Sequence, residues 1–543
     1  MKRSSVTIGI LLSVVLLIIH LIMMDDYGIT WDFHHHFFAG LSHLGIPISE
    51  ELTKNIPFTV PDPRGTYDLP FGPLMLIAPT ITYQVFHQWL GLLAFDNAYH
   101  LSIIVSGVAG IFILYLFLLE AFGLATALAG FAFLALLPRY FGDLHNNMKD
   151  VPQAAAFTLA IYTFWRLAKY KRLKDLILAS VAFAIAFNTK VNTLMVPVIG
   201  GVWIALNPKH QILNPKQAPI SNVQSSKRFG ALGFWILNLF RIWNLEFRVW
   251  GYFLLAPAAA FLLWLPFWQN PIERLQYMFR FFLDNTQNLE VLYFGTVYKS
   301  AINVPWHYPL GYLGITTPLP TLFFFFMGLM SLMGHMRLMK KNATGILLLL
   351  WFFLPLARYL NPKIGVIDGI RHFEEVVFPL AAIAAVGFIT VIKIIKVIKI
   401  ITVITIIIFI ILIKDIVSYH PYQISYFNEL VGGIRGAWKN FDVEYWGTSQ
   451  KAAMKWLNAN APRDSVVHIV MAGDAAAKYL RPDLLARVNQ RGFDAADYVV
   501  LLNRQSFFAR YWGITDYMSG RQPLFTVNVQ GVPLTYVYAN PPQ

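Results

Sequence analysis

The chain has 543 residues, 57% of them hydrophobic and only 13% charged. Soluble domains carry roughly 25% charged residues, so a water-soluble globule is excluded and lipid must solvate most of this chain. The net charge of +14 does not indicate nucleic acid, because the basic residues fall as short runs between apolar segments, at 169–174, 337–341 and 393–399. That distribution orients a multi-spanning membrane protein. Cysteine is absent, which removes disulfides and thiolate chemistry.

Met1-Lys2-Arg3 precedes an apolar run at 7–24 that no small-residue cleavage site follows. It reads as an uncleaved first span with a cytoplasmic N-terminus. The chain exits at Asp25 and Asp26 into an external segment reaching residue 97. The apolar run at 72–93 contains Pro73, Pro79, Gln84, His87 and Gln88. Spans are expected at 98–119, 122–138 and 152–168, the last ending in KYKRLK. If 72–93 also crossed, that basic run would lie outside, so 72–93 is expected along the outer face and 138–150 becomes an external loop.

The same parity gives spans at 176–189, 191–206, 249–268, 311–333, 343–360, 374–392 and 400–413. Between them lie a basic cytoplasmic stretch at 207–247 and an external amphipathic helix within WQNPIERLQYMFRFFLDN, of the kind that rests on a membrane surface. The expected fold is a polytopic α-helical membrane protein of about 11 transmembrane helices. Residues 1–413 form the transmembrane domain, with juxtamembrane helices in the external loop 25–97. Residues 414–543 read as a small α/β extracytoplasmic domain. Within it 450–461 and 474–480 are helical, SVVHIVMAG and DYVVLLN are strands, and PLFTVNVQGVPLTYVYAN is a hairpin by its period-two alternation.

Four stretches on the expected outer side concentrate polar groups: 25–36, 139–150 (RYFGDLHNNMKD), NTKVNT around Lys190, and 358–372. Loops at membrane exits also carry charges simply to anchor span ends. An acid among several cations, however, suits transfer from a lipid phosphate. The acid takes a proton from an acceptor hydroxyl, and the cations steady the departing phosphate. On a helix, consecutive residues diverge by about 100°, so His34, His35 and His36 cannot meet one metal. No metal ligands are assigned and no cofactor is required, although a divalent metal remains possible. His36 lies four residues after Asp32 and shares its face. Trp31, Phe33, Phe37 and Phe38 are expected as interfacial anchors rather than sugar platforms.

TWD with His36 after the first span, H-x-x-x-KD-x-P at 145–152 and FNTK at 187–190 resemble motifs of the polytopic GT-C glycosyltransferases. In particular they are similar to the protein O-mannosyltransferase and aminoarabinose-transferase group, glycosyltransferase family 39 and its neighbours. HYPLGYLGITTPLP at 307–320, DGIRHF at 368–373, YFNELVGG at 426–433 and YWGTSQKAAMKWLNANAP at 445–462 resemble bacterial members. The likeness extends over most of the chain. It implies that an acid in the first external loop is the catalytic base, which falls on Asp32, with Asp26 as its competitor. Many relatives place a glutamate next; here Phe33 stands there, which puts any paired-carboxylate role in doubt.

The second acid of the pattern is Asp150, whose alternative role is to cap the helix that Pro152 opens. Aminoarabinose-transferase relatives carry a phosphate-contacting lysine in the first loop. The matching stretch here, TYDLPFGPL with Asp68, has none. Donor phosphate binding therefore passes to Lys149, Lys190, Arg371 and His372, with Arg64 and Arg139 behind them. Arg371 leads because its planar fork suits a phosphate; its alternative is a loop brace on Asp368. Asp26, His36, His145, Arg139, His307 and Tyr308 complete the candidates.

The expected function is an integral-membrane glycosyltransferase in the bacterial inner membrane, with the C-terminal domain periplasmic. It would move a hexosyl or pentosyl group, with inversion, from a polyprenyl-phosphate donor to a protein, lipid or glycan acceptor. Its partners are membrane lipid, that donor and an acceptor of unassigned class, not nucleic acid. A transporter or flippase of a lipid-linked or anionic solute is the alternative; it needs ionisable groups deep inside spans, where these runs are almost uniformly apolar. A third reading is an envelope protein whose C-terminal domain binds a partner.

Overall fold

The computed structural model describes residues 2–48, 72–206, 231–264, 268, 270–284, 288–336, 343–395 and 397–541. Arg64, Asp68 and the basic residues at 207–230 and 337–341 lie outside them. The first helix, α1 (Arg3–Met23), turns its apolar side chains outward: Leu11 is 60% and Ile22 77% exposed, whereas His20 is buried. Apolar outside with polar inside is the arrangement lipid solvates and water does not.

Among the described residues five helices are long and apolar enough to cross a membrane: Arg3–Asp26, Phe95–Phe122, Ala343–Leu360, Arg371–Ile395 and Ile398–Tyr419. Shorter apolar helices occupy Val191–Leu206, Phe247–Leu263 and Leu319–Gly334. The chain is a multi-pass membrane protein.

Near the first exit, α2 (Phe33–His43) packs on α3 (Leu74–Tyr83), which in turn packs on α4 (Phe95–Phe122). The approach is close: a Cβ on Gly40 would lie 2.2 Å from the Leu76 carbonyl oxygen and 2.1 Å from Thr80 Oγ1, so only glycine fits there. This contact overturns the expectation for the aromatic residues of the first loop. Phe33 and Phe37 are buried against Tyr99, Phe37 also against Tyr83, and Phe38 is buried beside Phe37, instead of lying at a lipid interface. Rings that can bury fully in protein gain more apolar contact there than in a half-wet headgroup layer.

The span expected at 122–138 is also different. The helix α5 (Leu124–Ala135) has 12 residues, about 18 Å of rise. It then bends by 64° into α6 (Pro138–Asn146), a buried helix where a loop was expected. Pro138 opens α6, its fixed φ and missing N–H suiting a first helical position. Beyond it, α7 (Asp150–Tyr170) and α8 (Leu173–Phe187) form an antiparallel pair. The helix α9 (Met195–Leu206) follows, and α10 (Ala231–Leu263) runs as one helix of 33 residues through the stretch expected to be cytoplasmic up to 247.

The amphipathic α11 (Pro271–Asp284) stands where expected. It is followed by an unforeseen hairpin of β1 (Glu290–Tyr293) and β2 (Thr296–Lys299). Both turn residues, Phe294 and Gly295, have positive φ, which the tight hairpin demands and phenylalanine does not advertise.

Then come α12 (Tyr308–Thr316), α13 (Leu319–Met336), α14 (Ala343–Ala357), α15 (Val377–Ile395) and α16 (Ile398–Tyr419). The C-terminal segment holds α17 (Gln450–Asn460) and a four-stranded sheet of order β3-β4-β6-β5. Its strands are β3 (Val467–Val470), β4 (Tyr498–Leu502), β5 (Phe525–Val529) and β6 (Val532–Ala539). β3 and β4 are parallel, and the other pairings, including the expected β5–β6 hairpin, are antiparallel.

This segment sits on the first loop. Trp31 N donates to Trp446 O at 2.8 Å, His34 Nδ1 lies 3.2 Å from Asp474 Oδ2, and Ile29 N donates to Tyr479 Oη at 2.9 Å.

Candidate active site

Four chain segments deliver the site. Asp32 immediately precedes α2. Lys149 and Asp150 occupy the join between α6 and α7, where Asp150 N donates to Asn147 Oδ1 at 2.9 Å. Lys190 extends from the turn after α8. Arg371 follows a tight turn in which Asp368 and Gly369 both take positive φ, pinned where Gly369 N donates to Tyr308 Oη at 3.1 Å. These are the four stretches the sequence marks as polar, and they meet.

Arg371 is the hub. Its Nη2 lies 3.1 Å from Asp32 Oδ2, its Nη1 2.8 Å from Asp368 Oδ2 and its Nε 3.7 Å from Asp150 Oδ2. Lys149 Nζ adds a second cation 3.6 Å from the same Asp32 oxygen. Lys190 Nζ pairs with Asp150 Oδ1. Asp150 is the first residue of α7 rather than its N-cap, and its carboxylate pairs with Lys190 and lies near Arg371. Arg371 acts as more than a brace on Asp368, since it also reaches Asp32.

Burial raises the cost of charge on Asp32, but Lys149 and Arg371 outweigh it and hold the carboxyl well below the usual carboxylate range. The Asp32 side chain stays 34% exposed, the most open member of the cluster. Burial likewise opposes ionisation of Asp150, yet Lys190 and Arg371 carry it down to about 2. Burial pulls the Lys149 ammonium down to about 8 despite the opposing attraction of Asp32. A dry wall of alternating charge with one accessible carboxylate results.

The remaining candidates divide. His36 is buried one turn along α2 from Asp32, its N–H directed to the Asp32 carbonyl at 3.3 Å. His372 adjoins Arg371, and its carbonyl accepts from Arg358 Nη2 and from Tyr359 Oη at 2.9 Å. The other five make their contacts away from Asp32. Asp26 pairs with His420 Nε2 at 2.9 Å, exposed. His145 lies 2.8 Å from His20 and stacks on Tyr27. Arg139 is buried, donates to Tyr426 O at 3.1 Å and lies over Phe427. His307 meets the Tyr293 hydroxyl at 3.0 Å. Tyr308 is fully buried as the brace of the Asp368–Gly369 turn.

Two participants had no assigned role. Trp446 lies against Arg371, with 4.7 Å from ring centroid to guanidinium carbon. It is fixed by Glu444, which accepts from the N–H groups of Trp446, Gly447 and Ser449 and from Thr448 Oγ1 at 2.9–3.2 Å. The motif YWGTSQ was its signal. Arg504, just past β4, donates from Nη2 to Asp368 Oδ1 at 2.7 Å, and nothing local in the sequence distinguishes it. Among the described residues no group of three or more histidines and carboxylates is arranged to hold a metal ion.

A family profile described as dolichyl-phosphate-mannose-protein mannosyltransferase matches residues 86–220. No curated protein matches the chain. Among solved structures, ArnT from Cupriavidus metallidurans in the apo state is similar, with TM-score 0.50 at 13% identity over 98% of this chain and 97% of that one. ArnT bound to undecaprenyl phosphate gives 0.49 at 12% identity over 99% and 98%. The Archaeoglobus fulgidus oligosaccharyltransferase in its apo form gives 0.46 at 11% identity over 89% and 65%. The chain is helical, with several apolar helices, and shares the GT-C fold of ArnT.

Proposed function

We propose that this protein transfers a sugar from a polyprenyl-phosphate donor to an acceptor hydroxyl outside the cytoplasm, with inversion at the anomeric carbon. The observation that carries the reading is the accessible Asp32 carboxylate set against Arg371 and Lys149, 3.1 and 3.6 Å away. Transfer from a phosphodiester needs cations for the departing phosphate and a base for the incoming hydroxyl. With no donor bound, Asp32 is a weak base because those cations hold it ionised. A donor phosphate competes for the same cations and relaxes that hold, so basicity appears where and when the substrate is present. The matched family's description, which names dolichyl phosphate as the sugar carrier, supports the donor class.

We assign eleven spans, an N-terminus in the cytoplasm of a bacterial inner membrane, and a periplasmic site and C-terminal domain. The meeting of the four polar stretches in one cluster supports their common side.

Purified protein challenged with a panel of polyprenyl-phosphate sugars should show a rise in melting temperature with its true donor, since stabilisation grows with ligand concentration over Kd. A panel that leaves the melting temperature unmoved throughout would count against the donor class.

A pH profile gives a second test. Lysine is charged below its pKa, so donor capture should fall as pH rises through about 8, where Lys149 loses its proton. The kcat/KM limb reports the free enzyme, and Lys149→Arg should move it upward by keeping the charge. An alkaline limb unchanged in that variant would assign it to another group.

A further inference from the structure

We propose that Arg504 is a positioning residue for Arg371, acting through Asp368, and that the C-terminal segment thereby sets the strength of phosphate capture. This deepens the glycosyl-transfer reading and rests on it.

Asp368 lies between two arginines. Its Oδ2 receives Arg371 Nη1 at 2.8 Å and its Oδ1 receives Arg504 Nη2 at 2.7 Å. Both the Asp368 and Arg504 side chains are 5% exposed, so solvent screens this pair little. Arg504 is itself held: Nη1 donates to Tyr445 O at 2.8 Å, and the guanidinium lies over the Phe507 ring at 3.7 Å.

The balance of charge gives the arrangement its consequence. In the cluster Asp32, Asp150 and Asp368 face Lys149, Lys190 and Arg371, and Arg504 is a further cation that shares Asp368 with Arg371 and so leaves more of the Arg371 guanidinium for an arriving phosphate. Without Arg504, both Asp368 oxygens would face Arg371 alone. A carboxylate and a guanidinium prefer two parallel bonds, so Arg371 would be drawn from Asp32 toward Asp368 and its charge consumed there.

The test titrates undecaprenyl phosphate in detergent into wild type, Arg504→Met, Asp368→Asn and the double variant. Arg504→Met should weaken binding about tenfold, of the order seen for coupled residues within one salt-bridge network. Adding Asp368→Asn should restore most of that loss, because the uncompensated carboxylate is then gone. A packing role on Phe507 or Tyr445 predicts no such rescue. Losses that simply multiply in the double variant, or wild-type binding by Arg504→Met, would overturn the inference while leaving the donor reading intact. Wild type that melts normally but binds no undecaprenyl phosphate overturns both. If Arg504→Met does not fold, Arg504→Gln carries the same cycle.

Discussion

Asp32→Asn should abolish sugar transfer while leaving a folded protein that still binds donor. Asparagine keeps the size of the side chain and an oxygen for Arg371, but it cannot take a proton. Loss of a general base costs about 10²–10⁴-fold in rate, and here no second carboxylate follows in the chain, since Phe33 stands next and is buried. The variant also removes a negative charge beside Lys149 and Arg371. The donor KM should therefore fall or hold steady while kcat collapses, a split that distinguishes a base from a structural brace. Transfer at the wild-type rate, with an unchanged melting temperature, would remove Asp32 from the chemistry.

The largest stability effect is expected at a residue outside the site, Lys451 on α17. Its Nζ lies 2.6 Å from Asp96 Oδ2 and donates to the carbonyls of Asp25 at 2.8 Å and Tyr27 at 3.1 Å. Tyr479 Oη donates to the same Asp96 oxygen at 3.0 Å. Asp96 is 2% exposed. This buried pair ties the C-terminal segment to the first loop and to the head of α4.

Lys451→Met leaves Asp96 charged, buried and short of its cation. Removing one partner of such a pair costs about 3–5 kcal/mol. The melting temperature should drop and protease should reach the C-terminal segment sooner, with partial recovery in Lys451→Met/Asp96→Asn. Melting and proteolysis that match wild type would show the pair to be dispensable.

The sequence carries the helices because lipid solvation depends on local composition: a run near 20 apolar residues spans a bilayer wherever it stands. The C-terminal strands and hairpin are legible for a related reason, since period-two alternation records one buried face. The errors have the same origin. Pro138 to Asn146 reads as a polar loop because its mixed residues bury against protein rather than lipid. Phe33, Phe37 and Phe38 look like interfacial anchors because composition cannot tell a lipid neighbour from a helix neighbour.

Charge parity grouped Asp32, Lys149, Asp150, Lys190 and Arg371 in stretches expected on one side, together with Asp26, Arg139 and His145. Sidedness places residues on one surface but not within 4 Å of one another. That Asp32 meets Arg371, 339 positions later, and that Arg504 reaches Asp368 from a separate sheet, followed only from the packing. Likewise Asp26, as acidic and closer to the membrane, is turned to His420. The long apolar helices and the C-terminal strands answer to neighbours in the chain, so the sequence alone determined them. The cluster depends on short-range charge contacts between segments hundreds of residues apart, and those distances exist only once the helices and the C-terminal sheet have packed.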